Sequence, residues 1–236
     1  MSLAPLIRWI NLICILLSTQ VNAADFPALR LATQILPPYQ ILYNGDIKGL
    51  AVERVKCSLN AMGNDYEIHM TTLSKAQLNT ETGGYDGFFV ASSNAARARY
   101  ATASDPIIVD KLMWFMSQSI LLDPNDTKNA LKARYGAKFS TSKWLKLKRD
   151  GYNVVKKPQN AASLLDMLLA GDVDIALEYK LVFEHYMKER GVDKNQLRNV
   201  GFKEKQLKVH FSNRFLQSRP AFLSSFNEQL KYCMDL

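Results

Sequence analysis

Between residues 29 and 90 the chain alternates short strands with amphipathic helices, and that order leaves few folds open. Leu29-Arg30-Leu31-Ala32-Thr33 alternates in polarity and predicts a strand. Pro37-Pro38-Tyr39 breaks it, and Tyr43-Asn44-Gly45-Asp46 predicts the Asn-Gly turn of a small hairpin. Leu50 to Met62 carries apolar residues at helical spacing and stops at Gly63. Tyr66 to Met70 reads as a second strand, Ser74 to Asn79 as a short helix, and Tyr85 to Val90, after Gly83-Gly84, as a buried strand. A strand, a helix and a strand in succession require a crossover, so the strands pair in parallel and the unit is an α/β layer.

The pattern then restarts. Leu112 to Met116 is strand-like, Asp123 to Asp126 a loop, Asn129 to Arg134 a short helix or turn, and Gly136 to Phe139 a short strand. A helix from Ser142 to Arg149, a strand over Asn153 to Val155, and an apolar helix from Ala161 to Ala170 stopped by Gly171 follow. Val173 to Leu177 predicts a strand and Leu181 to Glu189 a helix ending at Gly191. Leu207 to Phe211 predicts the last strand, and Pro220 to Tyr232 the last helix, with Phe222, Leu223, Phe226 and Leu230 on one face. The 236 residues suit one large domain or two lobes of about 100 residues each. No Gly/Ser-rich linker separates them, so ordered segments near residues 107–112 and 203–208 are expected to join them.

The first 23 residues have a different character. Met1 to Arg8 carries one positive charge, Trp9 to Leu17 is apolar, and Val21-Asn22-Ala23 has small residues at the spacing a signal peptidase reads. The expectation is a secretory signal cut after Ala23, its apolar run shorter than the roughly 20 residues that span a bilayer. Cys14 lacks the small residues that precede a lipoprotein cysteine. Removing Arg8 lowers the net charge from +8 to +7. Export and scattered lysines argue against nucleic acid as a partner; the one cluster, Lys143, Lys146, Lys148 and Arg149, reads first as a solvated helix face and second as an anion-attracting patch. In an oxidising compartment the two remaining cysteines, Cys57 and Cys233, favour a bridge over two buried free thiols. His69, His185 and His210 are isolated, so neither a metal site nor a cofactor is expected.

Several segments together resemble the bacterial periplasmic solute-binding proteins of the polar amino acid type (family 3). Leu29 to Thr33 followed by Pro37-Pro38-Tyr39 is similar to the family's first strand and aromatic pocket loop, and Gly49-Leu50-Ala51-Val52-Glu53 to the opening of its first helix. Tyr85-Asp86-Gly87, then Ser92 to Arg97, then Ser104-Asp105-Pro106 resembles "(Y/F)-D-(G/A) … T-x-x-R … F-S-x-P-Y", and Ala170 to Ala176 resembles "x-G-x-x-D-A". The resemblance implies a two-lobed α/β type II periplasmic-binding fold, each lobe a central mixed sheet flanked by helices, with two hinge crossings. Lobe one would hold residues 24–110 and 205–236, and lobe two residues 111–204. Cys57, on the first helix, and Cys233, on the last, would then meet within lobe one.

The resemblance also implies a site. Arg97 would grip a ligand carboxylate, for which a planar guanidinium fork is suited. Ser92 would offer a hydroxyl and Val90 its backbone, while Asn94 would cap the helix that Arg97 begins. Tyr39 and Tyr43 would line the pocket, and Ser140 and Thr141 would supply hydroxyls from lobe two. Tyr179 stands where α-amino-acid binders carry a carboxylate for the ligand ammonium, with Glu178 one residue off that register. The implied function is periplasmic capture of a small polar, carboxylate-bearing, amino-acid-like solute for ABC-type uptake, without catalysis, by a monomer working with a membrane permease. A sensory binding protein without a transporter, or a dehydratase-like enzyme on the same fold, are the alternatives.

Overall fold

The computed structural model describes residues 27–126 and 131–235. The signal segment and part of the turn expected at 129–134 lie outside the described residues. Strand β1 (Leu29–Thr33) is followed by the hairpin β2 (Ile41–Tyr43) and β3 (Asp46–Lys48), helix α1 (Leu50–Ala61) and strand β4 (Tyr66–Met70). Helix α2 (Leu73–Thr82), strand β5 (Gly87–Ala91) and the one-turn helix α3 (Ala95–Ala98) complete the first run. β1 pairs in parallel with both β4 and β5, as the crossover order requires.

Two expectations of short strands are corrected. Leu112 to Met116 is the end of a 17-residue strand β6 (Ala101–Ser117), and Leu207 to Phe211 the end of a 16-residue strand β9 (Leu197–Ser212). The two run antiparallel along most of their length, from Ala101 opposite Ser212 to Ser117 opposite Leu197. Between them in the chain come β7 (Tyr135–Gly136), α4 (Ser142–Arg149), α5 (Ala161–Leu169), β8 (Ile175–Tyr179) and α6 (Lys180–Glu189). The strand expected over Asn153 to Val155 is a single bridge, Val154 to Tyr135. Helices α7 (Asn213–Ser218) and α8 (Phe222–Tyr232) end the described chain; α7 was not foreseen.

The seven-stranded sheet has the order β4-β1-β5-β9-β6-β8-β7. β4, β1 and β5 attach to the C-terminal part of β9, and β8 and β7 to the C-terminal part of β6. The paired stretch Ile108 to Leu112 against Lys203 to Leu207 therefore carries the chain between two lobes, with register shifts on either side. Each lobe has its own aromatic cluster. Trp114, Tyr135, Tyr152 and Phe202 interlock in the second lobe, and Phe211, Phe215, Phe222 and Phe226 in the first. Buried rings of this size dominate core energetics, each contributing about 1.5–3 kcal/mol by removal from water.

Cys57 on α1 and Cys233, just past α8, are bonded, with Cα atoms 5.9 Å apart across 176 residues of sequence. The bond fastens the C-terminal helix to the first lobe. Gly49 shows why α1 begins where it does: its φ is +121°, and a Cβ there would lie 2.5 Å from the Tyr39 carbonyl oxygen. Only glycine lets the helix start press against the loop that carries Tyr39.

Candidate functional site

β5 is buried along its whole length, and its pairing with β9 slips between Phe89 and Ala91. At the slip Val90 has φ 61°, a left-handed conformation that a β-branched residue rarely adopts. Strain of this kind persists where surrounding structure enforces it, and often at functional sites. Beyond it, Ala91 and Ser92 come to the wall between the lobes. The side chain of Asn94 caps α3, accepting from Arg97 N at 2.9 Å, as expected.

The single turn of α3 brings Arg97 back over Ser92. Arg97 is only 4% exposed. Its Nη1 donates to the Ser92 carbonyl and its Nε to Gln77 Oε1 at 3.0 Å. Both acceptors are neutral. Burial disfavours the charge and lowers the pKa, yet a guanidinium stays protonated.

The facing wall comes from the segment between β7 and α4. Ser140 has φ 59°, and Thr141 caps α4, accepting from Trp144 N at 3.3 Å while donating to the Lys138 carbonyl at 2.7 Å. This turn aims Lys138 across the cleft, where its ammonium donates to Gln34 Oε1 of the first lobe. Lys138 is 8% exposed, and its pKa falls to about 8, first from burial and then from neighbouring Lys143. Lys143, 4% exposed, pairs with Glu178 at the end of β8 and sits 4.3 Å from the centre of the Tyr179 ring. Glu178 Oε1 also accepts from Tyr179 N at 2.8 Å. Ser92 Oγ and Ser142 Oγ meet at 3.0 Å, a second hydrogen bond between the walls.

The enclosed space between the walls is about 20 Å³, room for about one water. From the first lobe it is lined by Gln34, Leu36, Leu73, Val90, Ala91, Ser92 and Arg97; from the second by Lys138, Thr141, Ser142, Lys143 and Tyr179. Five of the residues named from sequence thus converge there: Val90, Ser92, Arg97, Thr141 and Tyr179. Ser140 shapes the turn without lining the space, and Glu178 lies behind Lys143. A larger open groove of about 750 Å³ runs past Gly63 and Ala221 on the first lobe, outside the cleft.

The two aromatic residues expected in the pocket are elsewhere. Tyr39 is fully buried and its hydroxyl donates to Asp110 on β6; Asp110 also accepts from Leu181 N at 3.3 Å. Tyr39 therefore ties the first lobe to the crossing strand and to the first turn of α6. Tyr43 is 57% exposed on the hairpin, with Lys48 Nζ 5.4 Å from its ring centre.

Sequence reasoning missed the two lysines. Lys143 is not part of a solvated face. In α4 it lies four residues before Leu147 and shares that residue's buried side, which helical spacing alone indicates. Lys138 has no comparable signal, because it sits in a turn and its partner is 104 residues away.

No family model matches the chain, and no curated protein matches it by sequence. Solved structures do match. A histidine kinase sensor domain with similarity to periplasmic binding proteins superposes with a TM-score of 0.76 at 19% identity, covering 87% of this chain and 90% of that one. The arginine-, lysine-, histidine-binding protein ArtJ from Geobacillus stearothermophilus gives 0.72 at 16%, covering 88% and 90%. ArgBP from T. maritima, as its P235GK mutant, gives 0.72 at 15%, covering 87% and 88%. With its shared sheet, its two lobes and its two crossing strands, the chain has the fold of the periplasmic binding proteins.

Proposed function

We propose that this chain is a periplasmic solute-binding protein that captures a small carboxylate-bearing solute between its lobes without transforming it. Lobe one is taken as residues 24–110 with 205–236, and lobe two as residues 111–204. The observation that carries the reading is Arg97: a guanidinium buried in the wall between the lobes, hydrogen-bonded to neutral acceptors only. A buried charge of this kind is costly until an anion arrives, and a carboxylate matches its two-pronged geometry. Ser92, Thr141 and the backbone at Val90 surround the same space. The acid that a dehydratase-like chemistry would draw on, Glu178, is engaged by Lys143 and Tyr179 N. The likeness to the arginine-, lysine-, histidine-binding protein ArtJ supports solute capture, and a likeness to the substrate binding protein of an amino acid ABC transporter supports delivery to an ABC-type permease, with the receptor acting as a monomer in this reading. The likeness to a kinase sensor domain supports a second reading, in which closure reports to a sensor partner.

Thermal-shift screening of the purified chain against amino acids and small carboxylates tests this. A ligand at a hundredfold excess over its Kd adds about 2.7 kcal/mol of stability. Arg97→Ala abolishes that gain while Arg99→Ala does not. Retention of binding within threefold by Arg97→Ala refutes the site.

A further inference from the structure

The ion balance of the cleft is unequal. Lys143 and Glu178 neutralise each other. Arg97 and Lys138 have no carboxylate partner among the described residues; both are buried, and their acceptors are the Ser92 carbonyl, Gln77 Oε1 and Gln34 Oε1. Asp110, the next nearest acid, is already held by the Tyr39 hydroxyl and by the amides of Lys111 and Leu181. Two uncompensated positive charges therefore stand on opposite walls, one contributed by each lobe.

From this we infer that the solute is a small dicarboxylate, one carboxylate bound by Arg97 and the other by Lys138, with no ammonium required for recognition. This rests on the reading of the cleft as a solute site and specifies its ligand class. A ligand ammonium would find Lys138 and Lys143 facing it. Glu178 already has the Lys143 ammonium against it and Asp110 is held by the Tyr39 hydroxyl, so the protein carries in its own side chain the cation that an α-amino acid would bring. A cleft with room for about one water must widen to admit a solute, and short diacids need the least widening; their oxygens replace Gln34 and the Ser92 carbonyl as partners of the two cations. Because the two carboxylates engage different lobes, only the closed arrangement satisfies both, which couples this ligand class to closure.

Isothermal titration calorimetry on the purified chain at pH 7 and low salt tests the assignment with malonate, succinate and glutarate. Propionate, alanine, arginine and sulfate are the comparison ligands. At least one diacid is expected to bind roughly tenfold or more tightly than propionate. Lys138→Met is expected to remove that advantage, leaving diacid and monoacid within about threefold of each other; Lys138→Gln serves if the Met variant does not fold. Sulfate binding as tightly as the best diacid overturns the assignment in favour of a general oxyanion site. Alanine or arginine outcompeting every diacid, with loss on Arg97→Ala, overturns it while leaving the solute-binding reading intact. Failure of every diacid to bind overturns it as well, and the wider screen then decides the solute-binding reading separately.

Discussion

Replacing Lys138 by Met should make the ligand-free protein more stable and a worse receptor. Lys138 is 8% exposed and its pKa is depressed from 10.5 to about 8. At about 1.36 kcal/mol per pKa unit, holding the charged form in the cleft at pH 7 costs on the order of 3 kcal/mol. The Met side chain removes that cost. It also leaves Gln34 Oε1 without its donor, a loss of about 1–3 kcal/mol. The net expectation is a gain of roughly 0–2 kcal/mol, which urea unfolding at pH 7 measures. The pH dependence supplies an independent check. Because the folded pKa lies below the unfolded one, the unfolded state holds more protons between about pH 8 and 10.5. The wild-type contribution to stability therefore rises through that window, and Lys138→Met should lack the rise. A variant destabilised by more than about 1 kcal/mol, with diacid binding unchanged, would show Lys138 to be a structural lysine and refute the charge argument.

His210 is 1% exposed, donates from Nε2 to the Ala91 carbonyl at 3.0 Å, and has its pKa lowered to about 4 by burial and by Arg97. Its folded pKa lies below the unfolded value, so its stabilising contribution is present above about pH 6.5 and is lost towards pH 4, about 3 kcal/mol in all. Acid unfolding curves of His210→Gln should be flatter over that range, and an unchanged slope would sink the assignment. Breaking the Cys57–Cys233 bond, which closes a loop across 176 residues, should cost about 5 kcal/mol in the chain-entropy model. Denaturant unfolding of the double serine variant checks this, and two titratable thiols in the unreduced wild type would contradict the bond.

The helices and most short strands were legible because each is a local pattern. The stop at Gly63, the Asn-Gly hairpin and the Asn94 cap depend on residues within one turn of each other. β6 and β9 were truncated in the reading because Pro106, Asp110 and Lys111, like Lys203, Glu204 and Lys205, interrupt the apolar alternation. Lys111, Lys203 and Glu204 are exposed where the two strands pair between the lobes, whereas Asp110 is buried there against the Tyr39 hydroxyl and the Leu181 amide. Arg97, Ser92 and Thr141 are proposed as site residues through the family resemblance, and the structure places all three along one cleft. Tyr39 and Tyr43 were not distinguishable as loop residues; one is drawn inward by Asp110 and the other left on the hairpin surface.

The sequence by itself determined the alternation of strands and helices, and hence the α/β layering, because hydrophobic periodicity is written within a dozen residues. It also carried the pair of cysteines and Arg97, the arginine proposed for the site. Only the tertiary structure decided the charge of the cleft. Whether a lysine is solvated, neutralised or left without a counter-charge depends on residues far away in the chain. Lys143 meets Glu178 across 35 residues, and Lys138 meets Gln34 across 104. That sum exists only once two lobes are folded against each other and water is excluded from between them.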